Sequence, residues 1–97
     1  MGQSLNRHYV HLVFTTKLRK QLIKDPIETG LHKFMIGIIK SHEYKPIIIN
    51  SVPDHVHILF QFKRRVDIAL LVQELKTSSS KWMKTKGVYN FSWQPVS

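Results

Sequence analysis

Residues 45–62, KPIIINSVPDHVHILFQF, constrain this chain more than any other stretch. Two runs of β-branched and aromatic residues stand on either side of Pro53-Asp54, a dipeptide that marks a turn. So short a connection makes the two runs an antiparallel hairpin. The second run alternates strictly, with Val56, Ile58, Phe60 and Phe62 on one face and His55, His57, Leu59 and Gln61 on the other. The all-apolar set must lie under a covering layer. Both histidines are then left on the uncovered face.

The flanking segments supply that layer. HYVHLVFTT reads as a strand whose parity puts Val10, Leu12 and Phe14 on one face, with Tyr9, His11, Val13 and Thr15 on the other. The basic KLRKQLIK that follows reads as an irregular connection. DPIE predicts a helix start, with Asp25 as N-cap, Pro26 at the first helical position and Glu28 completing a capping box. Ile27, Leu31, Phe34, Met35, Ile38 and Ile39 then recur at helical spacing. After the hairpin, Asp67 is expected to open a second helix with Ile68, Leu71, Val72, Leu75 and Trp82 inside and a stop at Gly87. YNFSWQPVS is expected to close the chain as a short strand ended by Pro95. The order is β-α-β-β-α-β, an α+β chain of the ferredoxin-like type. It predicts a four-stranded antiparallel sheet with two helices on one face, as one domain over residues 1–97.

Charge narrows the partners. Fifteen Lys and Arg against 6 Asp and Glu give +9 with histidine neutral, so polyanions are the natural partners, above all nucleic acid. Charge alone does not separate DNA from RNA or from an anionic membrane. There is no Cys, which excludes disulfides and thiolate metal sites. No apolar run approaches the roughly 20 residues of a membrane span, and the N-terminus lacks the apolar core of a secretory signal. A cytoplasmic protein without membrane partners is the expectation.

The His55/His57 pair is the candidate site. Two imidazoles at i and i+2 on one strand face are close enough to share a divalent ion, and the bland alternative is a ligand-free surface pair. The first strand is expected beside the third, which would bring His11 near them as a further ligand or a phosphate contact. His8, His32 and His42 read as ordinary surface positions.

HLVFTTKLRK, PDHVHILF, LVQELKTSSSKWM and FSWQ, in this order and spacing, resemble the HUH single-strand DNA endonucleases. The nearest likeness is to the single-tyrosine transposases of the insertion-sequence-200/605 type and their relatives associated with repetitive extragenic palindromes. The resemblance runs from about His8 to Gln94. It implies a ferredoxin-like core that dimerises and recognises hairpin or single-stranded DNA. It also implies that His55 and His57 hold Mg²⁺ or Mn²⁺ while a tyrosine attacks the scissile phosphate. By the same resemblance Lys17, Arg19 and Lys20 after the first strand, and Lys76, Lys81 and Lys84 on the second helix, approach DNA; otherwise they are a solvated loop and helix face. His11 and Gln61 share the active face. The dimer is expected to form through the short last strand, with Trp93 in the partner surface.

In that family the segment after WQ leads into a helix bearing the nucleophilic tyrosine and a metal-binding Gln. Here the sequence ends at PVS, and Tyr9, Tyr44 and Tyr89 lack the Tyr-x-x-Asn-Gln setting. The expectation is therefore a DNA-binding transposase relative, truncated before its nucleophile helix and defective in cleavage. The alternatives are a non-catalytic nucleic-acid-binding module with an open sheet face, although the stacking aromatics of RNA recognition motifs are missing from that face, and a small metalloenzyme acting on another substrate.

Overall fold

The run His55–Phe62 is the middle strand of a three-stranded antiparallel sheet. The computed structural model describes residues 8–62 and 68–95. In chain order these form β1 (His8–Thr15), a 3-10 turn (Lys17–Arg19), α1 (Ile27–Ser41), β2 (Lys45–Val52), β3 (His55–Phe62) and α2 (Ile68–Thr85). The strand order is β1-β3-β2, with Pro53-Asp54 as the two-residue turn between β2 and β3. Pro46 is tolerated because β2 is an edge strand, and a register shift follows it before Ile48. Asp67, the expected start of the second helix, lies outside the described residues.

Side chains alternate between the two faces on both strands as their parity requires. Val56, Ile58 and Phe60 are fully buried, as is Phe14, and they form one core with Leu31, Met35, Ile38 and Ile39 of α1 and Leu71, Leu75 and Met83 of α2. Both helices therefore cover one side of the sheet. Tyr9, Val13, Ile48 and Val52 are exposed on the other. No helix among the described residues is long and apolar enough to cross a membrane.

The fourth strand is a correction. The segment around Trp93 forms a single antiparallel bridge to Thr16, made by Lys17 N–H to Ser92 O (2.9 Å) and Gln94 N–H to Thr15 O (2.8 Å). Among the described residues it does not lengthen: beyond Thr16 the partner chain turns away into the 3-10 turn, and Gln94 O accepts from Lys76 Nζ (3.1 Å). The segment is held by its side chains instead. Trp93 packs on Phe14 and Phe91 and donates from Nε1 to the fully buried Ser79 hydroxyl (2.8 Å), which itself donates to Leu75 O. Trp93 is thus part of the core, not a free surface for a partner.

The start of α1 is a second correction. Pro26 occupies the N-cap position and no side chain caps the helix, so Asp25 and Glu28 form no capping box. The Glu28 carboxylate is engaged across the layer instead: Ser51 of β2 donates to it, and His32 Nε2 bonds the same hydroxyl at 2.7 Å. His42 likewise bonds Glu74 Oε1 at 2.7 Å, tying the end of α1 to α2. These two histidines are half-buried and link elements of the fold, whereas His8 is exposed and stacks on Phe62. Both helices end in the same hydrogen-bond pattern. Tyr44 N–H reaches Ile39 O past Glu43, and Val88 N–H reaches Met83 O past Gly87, with positive φ at Glu43 (65°) and Gly87 (95°).

Two glycines of α1 make opposite demands. A Cβ on Gly30 would lie 2.8 Å from Trp82 Cη2, and that ring is held by stacking on Phe34. A Cβ on the exposed Gly37 would meet nothing within 4 Å. Alanine in a helix interior gains about 0.5–1 kcal/mol over glycine. Gly37→Ala should therefore raise the urea midpoint by an amount worth ~0.8 kcal/mol, while Gly30→Ala should give no gain or a loss.

Candidate functional site

The tip of the β2–β3 hairpin is clasped by residues 16–23. Thr16 is fully buried; its N–H donates to Asp54 O (2.9 Å) and its hydroxyl to Lys20 O (2.7 Å). Leu22 and Ile23 both donate to Pro53 O, and Ile23 inserts into the core. Between these anchors Leu18 and Arg19 adopt positive φ (59° and 53°), and Arg19 Nη1 lies 3.1 Å from Asp54 Oδ2. The other oxygen of Asp54 lies 2.7 Å from His55 Nδ1. The hydrogen bond from His55, followed by that from Arg19, holds the Asp54 carboxyl below the ordinary range, against the opposing effect of desolvation.

The strand then sets out the imidazoles. His55 and His57 rings lie 4.7 Å apart and edge to face. Antiparallel pairing places Val13 opposite His57 and His11 opposite Leu59, so His11 reaches His57 diagonally. The His11 and His57 rings stack at 5.4 Å, with His57 Nδ1 and His11 Nε2 3.3 Å apart. The Nε2 atoms of His55 and His57 have no hydrogen-bond partner among the described residues. Beside them lies an open depression of about 440 Å³, lined by His11, Ile48, Asn50, His57 and Leu59. Gln61 shares the face but sits four residues from His57, roughly 13 Å along the strand, opposite Tyr9 and Lys45. Among the described residues no group of three or more His, Cys, Asp or Glu is gathered around one point as a metal site. The expected pair is assembled, but His11 is turned to His57 and does not complete a three-histidine cluster.

The expected DNA-contacting cations divide. Lys17, Arg19 and Lys20 are exposed on the turn that clasps the hairpin, and Arg19 is engaged by Asp54. Lys76 meets the same region from α2: its Nζ donates to Gln94 O (3.1 Å) and lies over the Phe14 ring. Lys84 is exposed two turns on, about 80° round the helix from Lys76, and is bonded to Ser80 (3.2 Å). Lys81 is exposed about 140° round the helix from Lys76 and about 60° from Lys84, so the three do not share one line. Asp54 and Asn50 escaped the sequence reading. The signal for Asp54 was its place directly before His55, which read only as a turn.

The family model described as "Transposase IS200 like" matches residues 4–95. The fold is similar to that of a protein of Deinococcus radiodurans R1 assigned as a transposase, with a TM-score of 0.87 and 23% identity over 98% of this chain and 79% of that one. It is also similar to a REP-associated tyrosine transposase bound to a REP hairpin, with a TM-score of 0.60 and 20% identity over 97% of this chain. The match spans 58% of that transposase's length. No protein of curated function matches. At these identities the structural likeness is one of fold, whereas the family match covers nearly every residue: the chain belongs to the IS200-like transposase family.

Proposed function

We propose that this chain binds hairpin-bearing single-stranded DNA for transposition, on the open face of its sheet, with His55 and His57 holding Mg²⁺ or Mn²⁺. The observation that carries the reading is the pair of neighbouring imidazoles, each engaged through Nδ1 and, among the described residues, unengaged at Nε2. Two nitrogen donors fit a partly hydrated divalent ion, and imidazole suits Mn²⁺ better than Mg²⁺. A metal held there would act as a Lewis acid on a phosphodiester oxygen. The rest falls to the chain itself. Lys17 and Lys20 beside the hairpin tip, and Lys84 from the helix layer, attract the backbone, and Asn50 and the histidines offer polar contacts beside the apolar Ile48 and Leu59. The REP hairpin bound by the similar transposase supports a DNA partner. A cytoplasmic location and a single domain over residues 1–97 go with this reading.

Cleavage is a separate matter. Tyr44 is buried against Phe60, and Tyr9 lies four residues along β1 from the position opposite His57, roughly 13 Å away. Tyr89 is exposed in the segment after α2, outside any helix. None has the helical setting that covalent attack in this family uses, and a nucleophile must be held in line within a few ångströms of the phosphate. For these 97 residues by themselves, the placement of the tyrosines also favours the second reading, a nucleic-acid-binding module without catalysis.

Hairpin-bearing single strands should bind with an affinity that falls steeply with salt, because neutralised phosphates release counterions. Calorimetry should show weak Mn²⁺ binding that His55→Ala/His57→Ala abolishes; equal binding by the double variant, or no DNA binding at low salt, sinks the proposal.

These 97 residues, incubated with such DNA and Mn²⁺, should give neither a nick nor a covalent adduct on a denaturing gel. An adduct lost on Tyr9→Phe or Tyr89→Phe would show that another tyrosine has been recruited.

A homodimer is proposed as well. Trp93 cannot supply its surface, but β1 from His8 to Phe14 has an outer edge unpaired among the described residues, and such edges pair with other chains. Sedimentation at tens of micromolar should give the mass of a dimer, and a monomeric mass refutes it.

A further inference from the structure

We infer that Asp54 is a positioning residue for the histidine pair: it accepts the Nδ1–H of His55, fixing the tautomer whose lone pair is on Nε2, and Arg19 holds it there. The inference deepens the metal reading and rests on it for its purpose, though not for its geometry.

The tautomer follows from the chemistry of the contact. An ionised carboxylate only accepts hydrogen bonds, so the nitrogen 2.7 Å from Asp54 Oδ1 must carry the proton. In a neutral imidazole the other nitrogen then carries the lone pair. His57 has no such constraint. Its Nδ1 faces His11 Nε2 at 3.3 Å, and either nitrogen of that contact can be the donor. The two histidines therefore differ: one is set by a carboxylate, the other by a partner that leaves both tautomers open.

Asp54 is itself held at three points. Oδ1 is taken by His55, Oδ2 by Arg19 at 3.1 Å, and its carbonyl accepts from Thr16 N–H at 2.9 Å. The Arg19 guanidinium comes to it from a turn in which two successive non-glycine residues have positive φ. That backbone is costly, and an ion pair with an arginine side chain 69% exposed returns little stability. Costly backbone maintained for a weak surface contact points to the orientation it imposes. A carboxylate behind a metal-ligating histidine is a general device for orienting the ring and raising its basicity. Arg19 is thereby reassigned from a phosphate contact to the anchor of this carboxylate.

The test is a long-range ¹H–¹⁵N correlation spectrum of the labelled 97-residue chain at pH 8, above the ordinary imidazole range. His55 should show the Nδ1–H form. Asp54→Ala should convert it to a mixture containing the Nε2–H form while the His57 signals stay in place, and Mn²⁺ affinity measured by calorimetry should fall about 10–100-fold. Asp54→Asn keeps an acceptor and should preserve the tautomer; Arg19→Ala should reduce Mn²⁺ affinity by less than Asp54→Ala does. An Nε2–H form of His55 in the unaltered chain, or Asp54→Ala leaving tautomer and affinity unchanged, overturns the inference. If the unaltered chain binds no Mn²⁺ while Asp54→Ala still shifts the tautomer, the metal reading fails and the orientation of His55 by Asp54 stands.

Discussion

Everything on the open face depends on the register of β3. This strand is paired on both sides, and its inward residues Val56, Ile58 and Phe60 are fully buried beneath two helices. At about 1.5–3 kcal/mol for each such side chain, their burial is comparable to the whole net stability of a small domain. A slip of one residue would exchange them for His55, His57 and Leu59. The core thus fixes where the histidines stand, although no histidine of the pair takes part in it. Fold and candidate site are two faces of one alternation.

What alternation cannot do is fix the rings themselves, and here the segment between β1 and α1 matters. Thr16 and Ile23 are its two buried anchors, one on the carbonyl of Asp54 and the other on that of Pro53. The exposed residues between them are free to be basic, and Arg19 turns back onto the hairpin tip. The bridge between Thr16 and Trp93 brings residues 92–94 against the same corner, where Lys76 reaches Gln94. Four parts of the chain distant in sequence therefore meet where the hairpin turns.

The sequence displays those features that follow from local periodicity. The β1 and β3 parities, both amphipathic helices, the two-residue turn and the Gly87 stop all rest on spacing within one element, and all are present. The features it hid depend on pairs far apart. YNFSWQPVS has strand composition, but whether it pairs depends on β1 continuing past Thr16, which it does not. Glu28 has the right spacing for a capping box, yet Ser51, distant in sequence, competes for its carboxylate. Ser79 sits in a polar-looking KTSSSK run and is fully buried because Trp93 needs an acceptor. His11 could be placed on the correct face, but not turned toward His57, because ring orientation is set by the neighbour and not by the strand.

Charge and chemistry are separated on this molecule. Among the described Lys and Arg, Arg19 alone forms a carboxylate ion pair, and the described carboxylates that are engaged elsewhere, Glu28 and Glu74, are met by Ser51, His32 and His42. The other described cations are thus left without a carboxylate partner. The open face itself carries His11, Asn50, His55 and His57 among apolar Val13, Ile48, Val52 and Leu59. The one carboxylate beside the histidines, Asp54, is offset by Arg19, so its charge does not stand unopposed against an approaching phosphate. The described lysines lie away from the centre of the open face, which is lined by imidazole, amide and apolar side chains; on the proposed reading, a strong hold on a phosphate there would come from the metal and not from a side-chain charge.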